Sequence, residues 1–265
     1  MCDENEEKLR KGLARRSLVV KILVGASLGV MGLFAASAEL IRREIGATPT
    51  KGGPYAVPSS DEKYTFVDIS QLWNDVGITK SAYRSLSNFD QNGNAIAQEA
   101  CPPSFGPNLA VVSCPNDGVR FVFPDEMDRV MNVIKCQSQR ADVPEGRYSK
   151  VHLLGASIKG TGSGTTGFLQ YAGERPSEFE LHFEPWRSFQ KEADVFLDAR
   201  KIYLADGTDL SGSDVHAYLY HVQVECDPSK VLEKLVLPSG CHCRDHGGCA
   251  CKISDIRVLA IILEP

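Results

Sequence analysis

Tryptophan and methionine are scarce in this 265-residue chain, at two and four copies, and an excess of basic charge is missing. The net charge is −5 and the isoelectric point about 5.7. That balance argues against a nucleic-acid binder, which needs Lys and Arg clustered against phosphate. No H-E-x-x-H helix and no phosphate loop ending in Lys-Ser/Thr occurs, and no complete catalytic motif is present. Internal repeats and N-x-S/T sequons are also absent. Few methionines beside 14 Pro and 23 Gly point away from a helix bundle and toward many turns. What remains is ordinary: 43% hydrophobic and 24% charged residues describe a globular chain of one or two domains.

The N-terminus has its own character. Residues 1–16 are polar, with five Lys or Arg and four Asp or Glu. From Ile22 to Ala38 there is no charge, and Lys21 interrupts the wider apolar block near its start. Those 17 residues are short for a membrane span, which takes roughly 20, although Lys21 can snorkel to the interface. Three readings stay open. Residues 17–41 form a signal-anchor with the N-terminus inside, because Lys8, Arg10, Lys11, Arg15 and Arg16 outnumber Arg42 and Arg43. Alternatively, Ala36-Ser37-Ala38 ends a cleaved signal peptide, or the segment is a buried helix of a soluble protein. An acidic start is atypical of signal peptides, so the single membrane anchor is the first reading. Either of the first two places the rest outside the cytoplasm, membrane-anchored or secreted. Residues 1–46 thus form a polar start plus hydrophobic helix, 47–63 a Pro/Gly/Ser-rich linker, and 64–265 a folded domain.

Within that domain, short strands alternate with turn signals. The pattern predicts strands at 64–69, 109–113, 119–123, 132–136, 150–156, 166–171, 178–184, 201–204, 217–225, 232–237 and 256–264. In EFELHFE, Phe179, Leu181 and Phe183 point one way and Glu178, Glu180, His182 and Glu184 the other, as in a half-buried antiparallel strand. VLAIILE is apolar enough for a central strand. Helix is expected near 80–86 and at a turn near 125–130. The fold class is therefore all-β, an antiparallel β-sandwich preceded by an N-terminal hydrophobic helix.

Several groups of residues offer chemistry. Cys241, His242, Cys243, His246, Cys249 and Cys251 crowd the loop CHCRDHGGCAC. Bridges Cys241–Cys251 and Cys243–Cys249 suit a hairpin in an oxidising compartment. As an alternative, Cys241, Cys243, His246, Cys249 and Cys251 supply soft ligands for zinc or copper(I). Cys101 and Cys114 flank a segment they can close, and Cys136 and Cys226 are core thiols or a bridge. Asp90-Gln91-Asn92-Gly93-Asn94 presents oxygens at alternating positions, either as a solvated turn or as contacts for calcium or a sugar; it is not an EF-hand loop. The glycine-rich 160–167 segment reads as a flexible hairpin loop. Glu178, Glu180 and Glu184 read as a solvated strand face rather than the paired carboxylates of a glycosidase. Sugar platforms need aromatic rings, and the candidates are Trp73, Tyr83, Trp186, Tyr218 and Tyr220. Tyr218 and Tyr220 share one strand face, packed or exposed.

The ordered words LWNDVGIT (72–79), NFDQNGNAIAQEA (88–100), GVRFVFP (118–124), NVIKCQSQ (132–139), VHLLGASIKG (151–160), FELHFEPW (179–186), AYLYHVQVECDPSKVLEKLVLP (217–238) and IRVLAIILE (256–264) resemble an accessory β-sandwich module of secreted bacterial glycoside hydrolases. The resemblance spans 64–265. It implies a jelly-roll-like, non-catalytic sandwich that binds carbohydrate, with Trp73, Asp90, Asn92 and Trp186 as ligand contacts. The expected partner is a glycan or cell-surface polysaccharide, with no nucleic acid and no obligatory cofactor, structural calcium and the loop zinc being the candidate ions. A protein-interaction module with a stapled loop and a small glycan-active enzyme are the alternatives.

Overall fold

The computed structural model describes residues 63–101, 111–115, 117–122, 131–158, 165–189, 195–239 and 255–265. In chain order the first eight strands are β1 (Thr65–Phe66), β2 (Ile78–Thr79), β3 (Ala95–Ala97), β4 (Val111–Ser113), β5 (Arg120–Val122), β6 (Ile134–Lys135), β7 (Arg140–Gly146) and β8 (Lys150–Ser157). The remainder are β9 (Thr165–Tyr171), β10 (Ser177–Leu181), β11 (Val195–Ala199), β12 (Lys201–Tyr203), β13 (Asp209–Ser211), β14 (Ala217–Glu225), β15 (Leu232–Val236) and β16 (Ile256–Glu264). Among the described residues the helices are three short 3-10 turns, and the segment expected to be helical near 80–86 is one of them, Ser81–Leu86. It buries no residue, so nothing packs a longer helix there. No helix of the described residues is long and apolar enough to cross a membrane. The anchor at 17–41, the linker up to residue 62, the turn near 125–130 and the loop 241–251 lie outside the described residues.

β16, β8 and β14 form the centre of a six-stranded sheet ordered β1-β16-β8-β14-β11, with β6 also on β16. The sequence explains their position: β8 and β16 are apolar on both faces, and all but one residue of each is buried. A second sheet, β10-β9-β15-β7, is covered on one face only. There Phe179 and Leu181 are buried while Glu178 and Glu180 are exposed, which is the alternation read from EFEL. Pro144 sits in β7 without breaking it, because β7 is an edge strand and needs no donor on its outer side. One continuous apolar core joins the two sheets. The chain folds as a β-sandwich built almost wholly of antiparallel pairs; the exception among the strands is the parallel pair β2–β3. The glycine-rich segment corrects its sequence reading, because it leads from β8 in one sheet to β9 in the other and so closes no hairpin.

Amide side chains do the work of strand edges where the backbone falls short. Asn132 accepts from the N–H groups of Gly77 (2.9 Å) and Ile78 (3.1 Å) and donates to the Ile78 carbonyl (2.6 Å). Asn74 pairs the same way with Lys135, donating at 3.1 Å and accepting at 2.7 Å.

Among the described residues Cys101, Cys114, Cys136 and Cys226 are thiols, so the loop closure expected between Cys101 and Cys114 is not made. Burial pushes the Cys101 and Cys136 thiols up to about 12, and Cys226 up to about 11. Cys101 and Cys136 belong to the core and Cys226 packs against it, so each thiol stays neutral because ionising it away from water is costly.

Two predictions follow from this packing. A Cβ on Gly155 would lie 2.1 Å from the Arg257 carbonyl oxygen and 2.9 Å from the Phe183 ring. Gly155→Ala therefore lowers stability by about 3 kcal/mol, read from the urea midpoint of the full chain. At pH 8 the thiolate fraction of Cys101 and Cys136 is on the order of one in ten thousand, so iodoacetamide leaves both unmodified in the native protein. Denaturant exposes them to full alkylation, as mass spectrometry will show; a bridge from Cys101 would instead block its reaction in denaturant.

Candidate functional site

The two tryptophans expected to face a sugar do not. Trp73 is 5% exposed and Trp186 2%. Trp186 packs on Phe89, ring centroids 5.1 Å apart, beneath the Arg187 guanidinium. Each indole is worth more to the core than to the surface, since burying so large an apolar ring contributes about 2–3 kcal/mol. Asp90 is also turned inward. Its Oδ1 accepts from the N–H groups of Asn92 (2.9 Å) and Asn94 (3.1 Å), and Oδ2 accepts from Asn94 Nδ2 (2.6 Å). Gln91 and Gly93 adopt positive φ to make the bend. Asn94 then holds the Ala205 N–H at 3.0 Å. The carboxylate thus closes a turn, and its oxygens meet donors rather than converging with others on a common point as calcium requires. Asn92 stands exposed on the outside of that turn. Cys241, Cys243, His246, Cys249 and Cys251 lie outside the described residues.

A different surface collects aromatic and charged groups. Phe189 is 52% exposed, the one large apolar side chain so placed among the described residues. Its ring lies 5.7 Å from that of Tyr218, which stacks on His216 at 5.3 Å with the planes 20° apart. The loop carrying Phe189 is fixed by β14: the Tyr220 hydroxyl donates to the Ser188 carbonyl (2.8 Å), and the Tyr218 N–H donates to the Trp186 carbonyl (2.7 Å). β11 pairs Asp198 opposite Tyr218. Asp198 Oδ1 accepts from His216 Nδ1 at 2.9 Å, and its Oδ2 is 2.6 Å from Arg200 Nη2. Arg200 Nη1 also reaches His216 Nε2 (3.1 Å) and the Ser213 carbonyl (2.6 Å). Arg200 is a donor only, so His216 Nε2 is the acceptor and Nδ1 carries the hydrogen. The result is a fixed carboxylate, guanidinium and imidazole beside a ring that water reaches.

A second constellation spans the middle of the sheet. His152 on β8 and His221 on β14 share one face, with Nδ1 of the first 2.9 Å from Nε2 of the second. His152 Nε2 lies 3.0 Å from Glu264 Oε2 on β16, and His221 Nδ1 lies 2.8 Å from Asp117 Oδ2 in the turn between β4 and β5. Tyr64 and Phe121 set their ring edges against the two imidazoles. Burial pushes the His152 imidazole below its usual value, although Glu264 works the other way. Burial would raise Asp117, but the Val119 N–H, the Cys114 thiol and His221 together hold it below the usual carboxylate range.

Sequence reasoning found Tyr218 but passed over Phe189, Asp198, Arg200 and His216, because the strand VFLDA is short and begins at an irregular pairing with β14. His152 and His221 had a legible signal, a histidine inside each of two apolar strands, yet nothing in the sequence sets them side by side.

No curated protein matches the chain. A family model does, over residues 63–240, and its description is of a β-sandwich. That span takes in the aromatic surface and every residue of the histidine chain but Glu264, so the protein belongs to the AziU2-like β-sandwich domain family.

Proposed function

We propose that this protein is a non-catalytic, extracytoplasmic binding module for glycans, and that its ligand sits on Phe189 and the Asp198–Arg200–His216 group. The observation that carries the reading is the exposed Phe189 ring, tilted against Tyr218 at the margin of a fixed set of hydrogen-bonding groups. A pyranose offers just that pairing, an apolar C–H face for the ring and hydroxyls for the carboxylate and guanidinium. The apolar segment at 17–41 and the resemblance to hydrolase-attached, jelly-roll-like modules support an extracytoplasmic, sugar-binding setting.

Retardation of the full chain, in mild detergent, on native gels cast with a panel of polysaccharides tests this. At least one polysaccharide is expected to retard it. Phe189→Ala then weakens retardation about tenfold or more while leaving the urea midpoint within about 0.5 kcal/mol, because the ring is half in water. Arg200→Gln weakens it comparably. Mobility unchanged on every polymer, with the fold intact, overturns the glycan reading and turns attention to a protein partner for the same surface.

A further inference from the structure

The chain Glu264–His152–His221–Asp117 is one hydrogen short. It has three contacts, of 3.0, 2.9 and 2.8 Å, and each needs a hydrogen between its two heavy atoms. Two neutral imidazoles carry one N–H apiece. If His152 donates to Glu264, its Nδ1 accepts from His221 Nε2, and His221 Nδ1 then turns a lone pair toward the Asp117 carboxylate. Two acceptors at 2.8 Å repel unless a positive charge lies between or beside them. Starting the count from Asp117 only moves the deficit to another contact. The pair of carboxylates therefore holds either an extra proton or a cation.

What surrounds His221 Nδ1 favours a particular cation. The Cys114 sulfur, an Asp117 oxygen and a His221 nitrogen lie within 4.8 Å of one another. Thiolate, imidazole and carboxylate are the three ligand types that zinc accepts, and the sulfur and nitrogen disfavour calcium or magnesium. The turn that brings Cys114 and Asp117 together is fixed by its own backbone. The Cys114 N–H donates to the Val119 carbonyl (2.6 Å), Gly118 N–H donates to the Cys114 carbonyl (3.0 Å), and Asp117 Oδ1 accepts from Val119 N–H (3.0 Å). Behind His221, His152 and Glu264 form the relay that fixes a metal-bound imidazole in one tautomer. Cys114 is buried, whereas the Asp117 side chain is 43% exposed and leaves a way in and a fourth position for water. Lys63, within electrostatic reach of Glu264 and Asp117, is exposed.

We propose that Cys114, Asp117 and His221 bind one zinc ion, which takes the place of the missing hydrogen between His221 and Asp117 and displaces the Cys114 thiol proton. This place is separate from the cysteine-rich loop at 241–251. The balance is one Zn²⁺ in and the Cys114 thiol proton out, with no change of oxidation state.

The test is calorimetric titration of zinc into the reduced full chain carrying Cys241→Ser, Cys243→Ser, Cys249→Ser and Cys251→Ser, at pH 7 in two buffers of different ionisation enthalpy. The expected result is one zinc per chain and about one proton released, from the Cys114 thiol. In this background Cys114→Ala lowers affinity at least about a hundredfold, and His152→Gln about tenfold through loss of the relay. Asp117→Asn keeps the bond from Val119 N–H and so the fold, confirmed by circular dichroism, and loses affinity about tenfold or more. Zinc uptake that is absent, or unchanged by both Cys114→Ala and Asp117→Asn, overturns the site. Binding with no proton released overturns ligation by the Cys114 thiolate.

Discussion

Arg257 lies fully buried in the most apolar strand of the protein, and its charge has to be met by protein atoms because water does not reach it. Taking a guanidinium out of water is expensive unless its hydrogens find acceptors. Arg257 Nε donates to the Phe89 carbonyl at 2.8 Å, and Nη1 reaches the Ile256 carbonyl at 3.2 Å. Burial pulls its proton affinity down, and Asp75, Cys136, Asp255 and Asp90 act against that. The bond to Phe89 ties β16 to the turn closed by Asp90. The same turn reaches Ala205 through Asn94, so a single buried cation organises segments far apart in the chain. Asp75 shows the same constraint from the acid side, since burial raises its carboxyl despite the nearby Val76 N–H and Arg257.

Desolvation also explains why the histidine pair sits where it does. Both faces of the central sheet are covered, so His152 and His221 answer one another and then reach outward to carboxylates at the sheet margin. The aromatic surface obeys the opposite rule. It lies at the β11 edge, where the sheet ends and water begins, and its polar groups are held to each other rather than to the core. One sandwich therefore carries a wet, pre-arranged surface and a dry polar line, each produced by the depth at which its residues lie.

The eleven strands read from hydrophobic alternation each contain or overlap a strand of the structure, since alternation reports burial directly. Those missed have weak patterns for physical reasons. β7 contains Pro144 and three exposed charges, and β2 has only two residues, completed by the Asn132 side chain. Site residues were harder to read. Trp73 and Trp186 looked like platforms because ring chemistry is visible in a sequence, while depth is set by which loop covers which strand. Phe189 gave no pattern, because its exposure depends on bonds from Tyr218 and Tyr220 about thirty residues away. The His152–His221 contact is a diagonal across two strands, and register is not written in either strand alone.

The pairing of β1 with β16 joins Thr65 to Leu263, across almost the whole folded domain. Closing a loop of that length costs about 5 kcal/mol of chain entropy before any contact returns it. By contrast β9 and β10 meet through a tight connection, with Leu169 opposite Ser177, and can form on a microsecond scale. The order of assembly is thus uneven: the β9–β10 hairpin comes early, while β8 gains its neighbours β14 and β16, both far later in the chain, only afterwards, and β1 joins the edge of that sheet across the longest loop. During that interval the buried run from Val151 to Ser157 has an open edge and two uncovered apolar faces. A nascent or refolding chain carries there its greatest exposure to wrong partners, including the same segment of another molecule.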